Sequence, residues 1–212
     1  RLTQNELPKD GASWQNALVP GGQIELNGRT IVPLKEVLDI YQGVVPNPDK
    51  TTPNNIRMLP SDRGVEVGEG IFVLTQAEIN NLRISENERK LVKPSYRNSE
   101  ICQYLVDVPE TGKILLFYLT KDDDVDEFPA IKQHLSRYRE ILEKRREVGQ
   151  GKIPWYSLHW PRSSIIFETP KIVCSNWGND YQPFAIQEAG FYERRDITLF
   201  LPKKGIRESL FY

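Results

Sequence analysis

Residues 129–148 carry the clearest periodicity in the sequence. Pro129 suits the first turn of a helix, because its fixed backbone angle is helical and no N–H is needed there. An apolar stripe at helical spacing buries one side of a helix and leaves the other sides polar. The stripe consists of Ile131, Leu135, Tyr138 and Leu142. The segment therefore predicts a long amphipathic helix near 129–148.

The other faces of this segment are charged. Six basic residues minus three acidic residues give a local excess of three positive charges. They are Lys132, Arg137, Arg139, Lys144, Arg145 and Arg146 against Glu140, Glu143 and Glu147. One interpretation is a solvated face with ion pairs four residues apart, such as Arg139–Glu143 and Glu140–Lys144. The other is contact between the basic end of the helix, at Arg146, and phosphate groups.

Two pairs of residues have the spacing of a helix capping box. Thr75 is followed three residues later by Glu78, and Ser85 by Glu88. In a capping box the hydroxyl accepts from the third helical N–H, and the carboxylate accepts from the N–H of the capping residue. Both pairs therefore predict the start of a short helix.

The amino-terminal third combines one helical pattern with a long loop. Residues 31–45 place apolar side chains at helical spacing before Gly43, which predicts a helix that ends there. Residues 46–70 are rich in proline, asparagine and aspartate, which predicts a loop. A loop of that length inside a domain is often functional.

Short apolar runs bounded by glycine, proline or asparagine predict strands. They lie at 71–74, 101–108, 113–120, 164–167, 171–174, 184–186 and 197–201. Gly112 predicts a hairpin between the second and the third of these runs. Helices grouped between runs of strands predict the α+β class, with a mixed β-sheet and the long helix near 129–148.

Composition narrows the class of protein but does not favour a nucleic-acid partner. The formal net charge is -1, whereas a protein that holds DNA by bulk electrostatics is usually basic. No apolar run reaches the roughly 20 residues that span a bilayer, so no membrane partner is expected. The two cysteines, Cys102 and Cys174, are too few for a disulfide framework. We expect a cytoplasmic protein with reduced cysteines packed in its core.

The sequence lacks the patterns that catalysis and metal binding require. Zinc sites need three or four His or Cys ligands at short spacing, and none occurs. The acidic run 122–127 lacks the glycine and the closing glutamate of a calcium loop, and we expect it to complement the helix N-terminus after it. A nuclease pair formed by Asp49 and Glu88 is disfavoured, because Glu88 lies in a predicted helix. We therefore predict no catalytic residue and no metal ligand in this chain.

Three loops concentrate planar and basic side chains, at 93–98, 154–162 and 175–183. Arginine and lysine can bond guanine, asparagine and glutamine can bond adenine with two hydrogen bonds, and phosphates accept from arginine, lysine and tyrosine. The loops are therefore suited to DNA. For Trp155 and Trp160 the alternative is a structural role as anchors of the core.

Five segments in this order resemble the TaqI-like C-terminal specificity domain of type IIG restriction-modification enzymes and adenine-specific DNA methyltransferases. They are GIFVLTQAEINNLRISENERKLVKPSYRNSEICQYLV (70–106), FPAIKQHLSRYREILEKRRE (128–147), GKIPWYSLHWPR (151–162), FETPKIV (167–173) and EAGFYERRDITLFL (188–201). The stretch LKEVLDIYQGVV (34–45) resembles the start of the same domain. The resemblance implies that residues 1–212 form one DNA target-recognition domain.

The resemblance also implies what the rest of such a protein does. A covalently linked methyltransferase domain would bind S-adenosylmethionine and methylate the N6 of a flipped adenine. In type IIG enzymes the same chain also cleaves DNA, with magnesium as a further cofactor of the parent. The Asn/Asp-Pro-Pro-aromatic motif of that domain is absent here, so this chain is expected to hold no cofactor. Because residue 1 is Arg and the chain ends at Leu210-Phe211-Tyr212, we expect a fragment of a longer protein.

The predicted site residues fall into two groups according to whether the resemblance covers them. Within the shared segments, residues are expected to build the scaffold or to contact DNA phosphates, namely Lys93, Tyr96, Arg97, Asn98, Arg146 and Arg162. Between shared segments or in the proline-rich loop, residues are expected to read bases, namely Asn176, Trp177, Asn179, Tyr181, Gln182 and Arg57.

Three functions stay open at this point. The first is sequence-specific recognition of double-stranded DNA for an adenine-N6 methyltransferase of a restriction-modification system. The second is a chain that is itself an enzyme, either a nuclease or a whole methyltransferase. The third is a structural or protein-interaction subunit that does not read bases.

Overall fold

The computed structural model describes residues 24–26, 29–31, 34–108, 113–177 and 183–203. Two compact units are present. Unit 1 comprises 1–39 with 202–212, and unit 2 comprises 40–201. In unit 1, strands β1 (Ile24–Leu26) and β2 (Arg29–Ile31) pair antiparallel, and the short helix α1 (Leu34–Val37) follows.

The first sheet of unit 2 has three antiparallel strands in the order β4-β6-β5. These are β4 (Val73–Thr75), β5 (Val92–Ser95) and β6 (Ile114–Phe117). The predicted hairpin between 101–108 and 113–120 is wrong, because β6 pairs with β4 and β5 instead. Residues 101–108 form only isolated bridges, such as Ile101 with Val106.

The second sheet has four strands in the order β3-β9-β7-β8. They are β3 (Leu38–Gln42), β7 (Lys171–Ser175), β8 (Phe184–Gln187) and β9 (Ile197–Pro202). The last three confirm the predicted strands. The predicted strand at 164–167 is wrong: helix α8 (Ser164–Phe167) lies there, and its Ile166 and Phe167 are buried.

The predicted helix over 31–45 is also wrong beyond α1, because the chain continues as strand β3. Gly43 does not end a helix but lets two backbone segments approach each other. A Cβ at Gly43 would lie 2.2 Å from the carbonyl oxygen of Glu193. The predicted loop 46–70 contains the capped helix α2 (Pro53–Ile56) and a 3₁₀ turn, Ser61–Arg63.

Both predicted capping boxes are confirmed. Thr75 Oγ1 accepts from the N–H of Glu78 at the start of α3 (Gln76–Asn81), and Glu78 Oε2 accepts from the N–H of Thr75. Ser85 and Glu88 make the same exchange at the start of α4 (Glu86–Arg89). Short helices are thus fixed at their amino ends by side chains close in sequence.

Residues 129–148 form three short helices rather than one. They are α5 (Pro129–Ser136), α6 (Arg139–Glu143) and α7 (Arg146–Gly149). The predicted apolar stripe is confirmed, since its four side chains are fully buried. The Ser136 hydroxyl bonds the Lys132 carbonyl at 2.7 Å, a contact that commonly bends helices, and Arg145 is in an extended conformation. The prediction of one long helix is therefore wrong, because the segment is broken into three helices.

The N-terminus of α5 is capped by a residue distant in sequence. Glu88 Oε1 accepts from the N–H groups of Ala130, at 2.7 Å, and Ile131, at 3.0 Å. The acidic run 122–127 instead stabilises the turn before the helix, where Asp123 accepts from the N–H of Thr120. The predicted role of that run at the helix N-terminus is therefore taken by Glu88.

A buried ion pair lies between β7 and the segment that precedes β9. Lys171 Nζ of β7 lies 3.2 Å from Glu193 Oε1, and both side chains are fully buried. Tyr96, which follows β5, donates its hydroxyl to the same oxygen at 3.3 Å. Burial raises the pKa of Glu193 to about 7, although Lys171 and the hydrogen bonds lower it. Among the residues that the structure describes, none of the helices is long and apolar enough to span a bilayer.

Candidate nucleic-acid interface

Unit 2 contains a groove of about 760 Å³ lined by aromatic, cationic and amide side chains. It is formed by the loop before α2, the turn before β9, and the start of the loop between β7 and β8. Its aromatic rings and polar groups come from Trp160, Trp177, Asn176, Lys50, Arg194, Arg195, Asp49 and Asp196. The groove thus brings two predicted base-reading residues together with three basic residues that no sequence pattern had singled out.

Trp160 is held in the groove by its backbone. Its N–H donates to the Val45 carbonyl at 3.1 Å, and its own carbonyl accepts from the N–H of Val45 at 3.0 Å. The side chain is 52% exposed, and the guanidinium of Arg162 stacks over it at 5.4 Å. The interpretation of Trp160 as a core anchor is therefore wrong. Trp155 is half-buried against the core, as an anchor would be.

Trp177 is the most exposed large hydrophobic side chain among those described, at 78%. Its backbone is nevertheless fixed, because the Ser175 hydroxyl donates to its carbonyl at 2.8 Å and accepts from its N–H at 3.2 Å. An exposed indole on a fixed backbone is available for stacking without first being uncovered.

Asn176 is held by contacts within its own chain. Its Nδ2 donates to the Arg195 carbonyl at 3.0 Å, and its Oδ1 accepts from the Thr198 hydroxyl. Both ends of the amide therefore have partners, whereas reading adenine with two hydrogen bonds needs both ends free to turn toward the base. In this structure Asn176 positions the β7–β8 loop.

The groove is weakly positive. Arg194 Nη1 lies 2.7 Å from Asp49 Oδ2, and Arg194 Nη2 lies 4.0 Å from Asp196 Oδ2. Counting the lining charges, three cations minus two carboxylates give +1. Arg195 is exposed, and its guanidinium has no ionic partner among the described residues. Arg195 is therefore the arginine of the groove that is free to contact an anion.

Comparison with known proteins does not assign a family. No protein-family model and no curated protein sequence matches the chain. The structure of the type IIL restriction-modification enzyme MmeI in complex with DNA is similar at a TM-score of 0.49 and 12% identity. The match covers 81% of this chain and 20% of the MmeI chain, so this chain spans about a fifth of that enzyme. A TM-score below 0.5 does not establish a common fold, and the TaqI-like resemblance stays a prediction.

Two of the predicted phosphate-binding residues contact side chains of the segment between β8 and β9. Lys93 Nζ lies 3.6 Å from Glu168 Oε1 and 5.1 Å from the centre of the Tyr192 ring. Tyr96 is fully buried against Glu193, so its hydroxyl is not accessible to a DNA phosphate. The predicted phosphate contact of Tyr96 therefore conflicts with the structure, and its scaffold role fits.

The other predicted phosphate-binding residues do not converge on one surface patch. Arg97 pairs with Glu100 at 3.0 Å, and Asn98 is half-buried nearby. Arg146 is largely exposed and pairs with its neighbour Glu147 at 2.9 Å. Only Arg162 approaches the groove, through its contact with Trp160.

The remaining predicted base-reading residues are outside the groove or outside the described structure. Arg57 is exposed at the end of α2 and does not line the groove. Asn179, Tyr181 and Gln182 lie outside the described residues. Their loop begins at Asn176 and Trp177, so the groove contains its first two residues.

Most of the basic residues of 129–148 pair with acids, which favours the solvated-face interpretation over phosphate contact. Arg139 bonds Glu143 at 2.7 Å as predicted, whereas Glu140 pairs with Arg63 of the proline-rich loop at 2.6 Å. Arg145 is buried, and it donates to the Ser157 carbonyl at 2.8 Å and to the Trp155 carbonyl. Burial lowers the pKa of Arg145 to about 10, although Glu147 raises it.

Lys50, Arg194 and Arg195 of the groove were not among the site residues predicted from the sequence. The string ERRD at 193–196 was part of the family resemblance, but nothing in it marks an exposed cation beside a paired one. In the described ranges no group of three or more His, Cys, Asp or Glu could hold a metal ion. Cys174 is buried and Cys102 is exposed, so the predicted core position is confirmed for Cys174 alone.

Proposed function

We propose that this chain is a DNA target-recognition domain that reads double-stranded DNA for an adenine-N6 methyltransferase of a restriction-modification system. The observation that carries the proposal is the groove of unit 2, in which two exposed tryptophans and a free arginine adjoin the predicted base-reading loop. The ordered resemblance to TaqI-like specificity domains supports the same function.

The groove suits DNA better than a small molecule. Small-molecule sites are mostly apolar and enclosed, with a few convergent polar groups. Here the aromatic rings are exposed and three cations line the same groove, as in surfaces that contact the phosphates of a nucleic acid. Trp160 and Trp177 each leave about half or more of their surface in water, which a bound ligand would cover.

Two groups of residues share the proposed function. Lys50, Arg195 and Arg162 contact phosphates around the groove. Gln182 and Asn179 read base edges in the major groove of the DNA. Asn176 fixes the start of the protein loop that carries them. The parent chain would supply S-adenosylmethionine binding, methyl transfer and any magnesium-dependent cleavage, so this chain acts as a binding domain and not as an enzyme.

Selection from a randomised pool of duplexes tests this function. The wild-type chain is expected to enrich a single short motif. Asn179→Ala or Gln182→Ala should relax the preference at one base position, by about 1–3 kcal/mol for a contact with two hydrogen bonds. Enrichment of no motif, with no detectable duplex binding at low salt, would exclude DNA recognition and favour a structural or protein-interaction subunit. Binding of S-adenosylmethionine by the pure chain, or cleavage of plasmid with magnesium, would favour an enzyme.

A further inference from the structure

A second aromatic side chain, Tyr104, is almost as exposed as Trp177. The two are the most exposed of the large hydrophobic side chains that the structure describes, at 77% and 78%. A large aromatic ring left in water forgoes the free energy of burial, so two such rings at one end of a sheet suggest a surface that a ligand covers.

Both rings stand beside the same loop. Cys174 of β7 pairs with Phe184 of β8, so the two ends of the loop between these strands are adjacent. Trp177 lies two residues beyond the end of β7. Tyr104 is attached at the other end, because its N–H donates to the Phe184 carbonyl at 2.7 Å. One exposed ring therefore lies just beyond the end of β7, and the other lies at the start of β8.

Tyr104 is rigidly presented. It lies at the tip of a tight turn closed by a hydrogen bond of 2.9 Å from the N–H of Cys102 to the carbonyl of Leu105. Its backbone φ is +76°, a left-handed conformation that is costly for a bulky aromatic residue. Gln103 Nε2 donates to the Tyr104 hydroxyl at 3.0 Å. These contacts fix the backbone of the turn from which the ring projects into solvent.

We infer that Tyr104 stacks on a nucleobase of bound duplex DNA, as a wedge at the start of β8, while Trp177 lies beyond the end of the neighbouring β7. This inference rests on the proposed function. Leu105, also exposed at 53%, would extend the apolar tip of the wedge. Apolar side chains inserted beside a base step partly unstack it, and the cost of unstacking is smallest where a base is missing or mismatched.

The test uses a labelled duplex of the selected motif and the same duplex carrying an abasic site scanned along the motif. The wild-type chain is expected to bind the abasic duplex several-fold more tightly at one position, because the ring fills the gap without unstacking a base. Tyr104→Ala should lose this gain and bind the intact duplex about tenfold more weakly, with an unchanged salt dependence, because no charge is removed. Tyr104→Phe should retain the gain.

Two controls separate stacking from folding. Tyr41→Ala removes an exposed tyrosine from β3, at the opposite edge of the same sheet, and should leave both affinities unchanged. Tyr104→Gly removes the ring while relieving the positive φ, so it should lose the gain without lowering the melting temperature.

The possible failures are distinguishable. If the wild-type chain binds the duplex and Tyr104→Ala keeps both the affinity and the abasic gain, the wedge is wrong and the proposed function stands. A loss of affinity with an altered salt dependence would also overturn stacking. If the wild-type chain binds no duplex, the proposed function itself fails.

Discussion

The carboxylate of Glu88 accepts hydrogen bonds at the N-termini of two helices, α4 and α5. Burial alone would raise its pKa, but the hydrogen bonds from Ser85, Ile131 and Ala130 together lower it. A carboxyl whose folded pKa is lowered stabilises the fold above its unfolded pKa. That contribution is lost as the pH falls through the lowered folded value.

Glu88→Ala should therefore lower the free energy of unfolding at neutral pH by about 3 kcal/mol, because several backbone donors lose their acceptor. Urea unfolding measures the difference, which should narrow as the pH is lowered below about 4. Glu86→Ala is the matched control, since that side chain is exposed, and it should change stability by less than about 0.5 kcal/mol. A constant difference at all pH values would contradict the capping account.

Replacing Trp177 tests whether the groove binds DNA and leaves the charge of the groove unchanged. Trp177→Ala should weaken duplex binding by about 1–2 kcal/mol, because the exposed apolar ring that the duplex would cover is removed. Fluorescence anisotropy of a labelled duplex measures the change. Ile165→Ala, an exposed apolar residue on α8, should have no effect. An equal loss for both variants would indicate a general surface effect.

At the residue scale, the sequence predicts those contacts whose two partners lie close together in the chain. The boxes of Thr75 and Ser85 were predictable because both partners lie within one turn of helix. The burial of Tyr96 and the intramolecular bonds of Asn176 were not, because their partners Glu193 and Arg195 lie far along the chain and residue type alone does not distinguish a structural role from a DNA contact.

At the scale of elements, Arg145 explains one of the two breaks that divide 129–148 into three helices. Its extended backbone separates α6 from α7, and its guanidinium contributes hydrogen bonds to the carbonyls of Leu142, Ser157 and Trp155. The apolar periodicity was correct but carries no information about a buried arginine. The helix predicted over 31–45 was wrong at β3 for a related reason. β-Branched and aromatic residues at helical spacing also suit a strand.

Arg145→Met should lower the free energy of unfolding by about 3 kcal/mol, because buried carbonyl groups would lose their donor. Chemical denaturation measures this change. Lys144→Met, at the exposed neighbouring position, should shift stability by less than about 0.5 kcal/mol. If Arg145→Met is no less stable than the wild type, the guanidinium does not hold the 155–157 loop in place.

At the scale of the whole unit, the buried Lys171–Glu193 pair of the second sheet contacts Tyr96, the residue that follows β5 of the first sheet. Lys171→Met alone should destabilise the protein by about 3–5 kcal/mol, because Glu193 loses its ionic partner and must take up a proton to stay buried. The double variant Lys171→Met with Glu193→Leu should regain most of that loss, since an apolar pair needs no desolvation of charge. A double-mutant cycle in urea measures the coupling. Additive losses would contradict a direct ionic contact.

The same scale explains why composition did not indicate the site. The net charge of -1 averages over the whole chain. The groove, in contrast, brings Lys50 together with Arg194 and Arg195, which are distant from it in sequence. The α+β class and the three strands after residue 170 were predictable from short local patterns. The groove was not, because it is created by strand order and by the close approach of the chain at Gly43.

The salt dependence of duplex binding tests most directly whether this groove holds DNA. The logarithm of the affinity should fall linearly with the logarithm of salt concentration, and Arg195→Ala should reduce that slope by about one released counterion. Arg89→Ala, an exposed arginine on α4 outside the groove, should leave the slope unchanged. A slope that Arg195→Ala does not alter, or that Arg89→Ala reduces equally, would contradict the assignment of the groove as the DNA-binding surface.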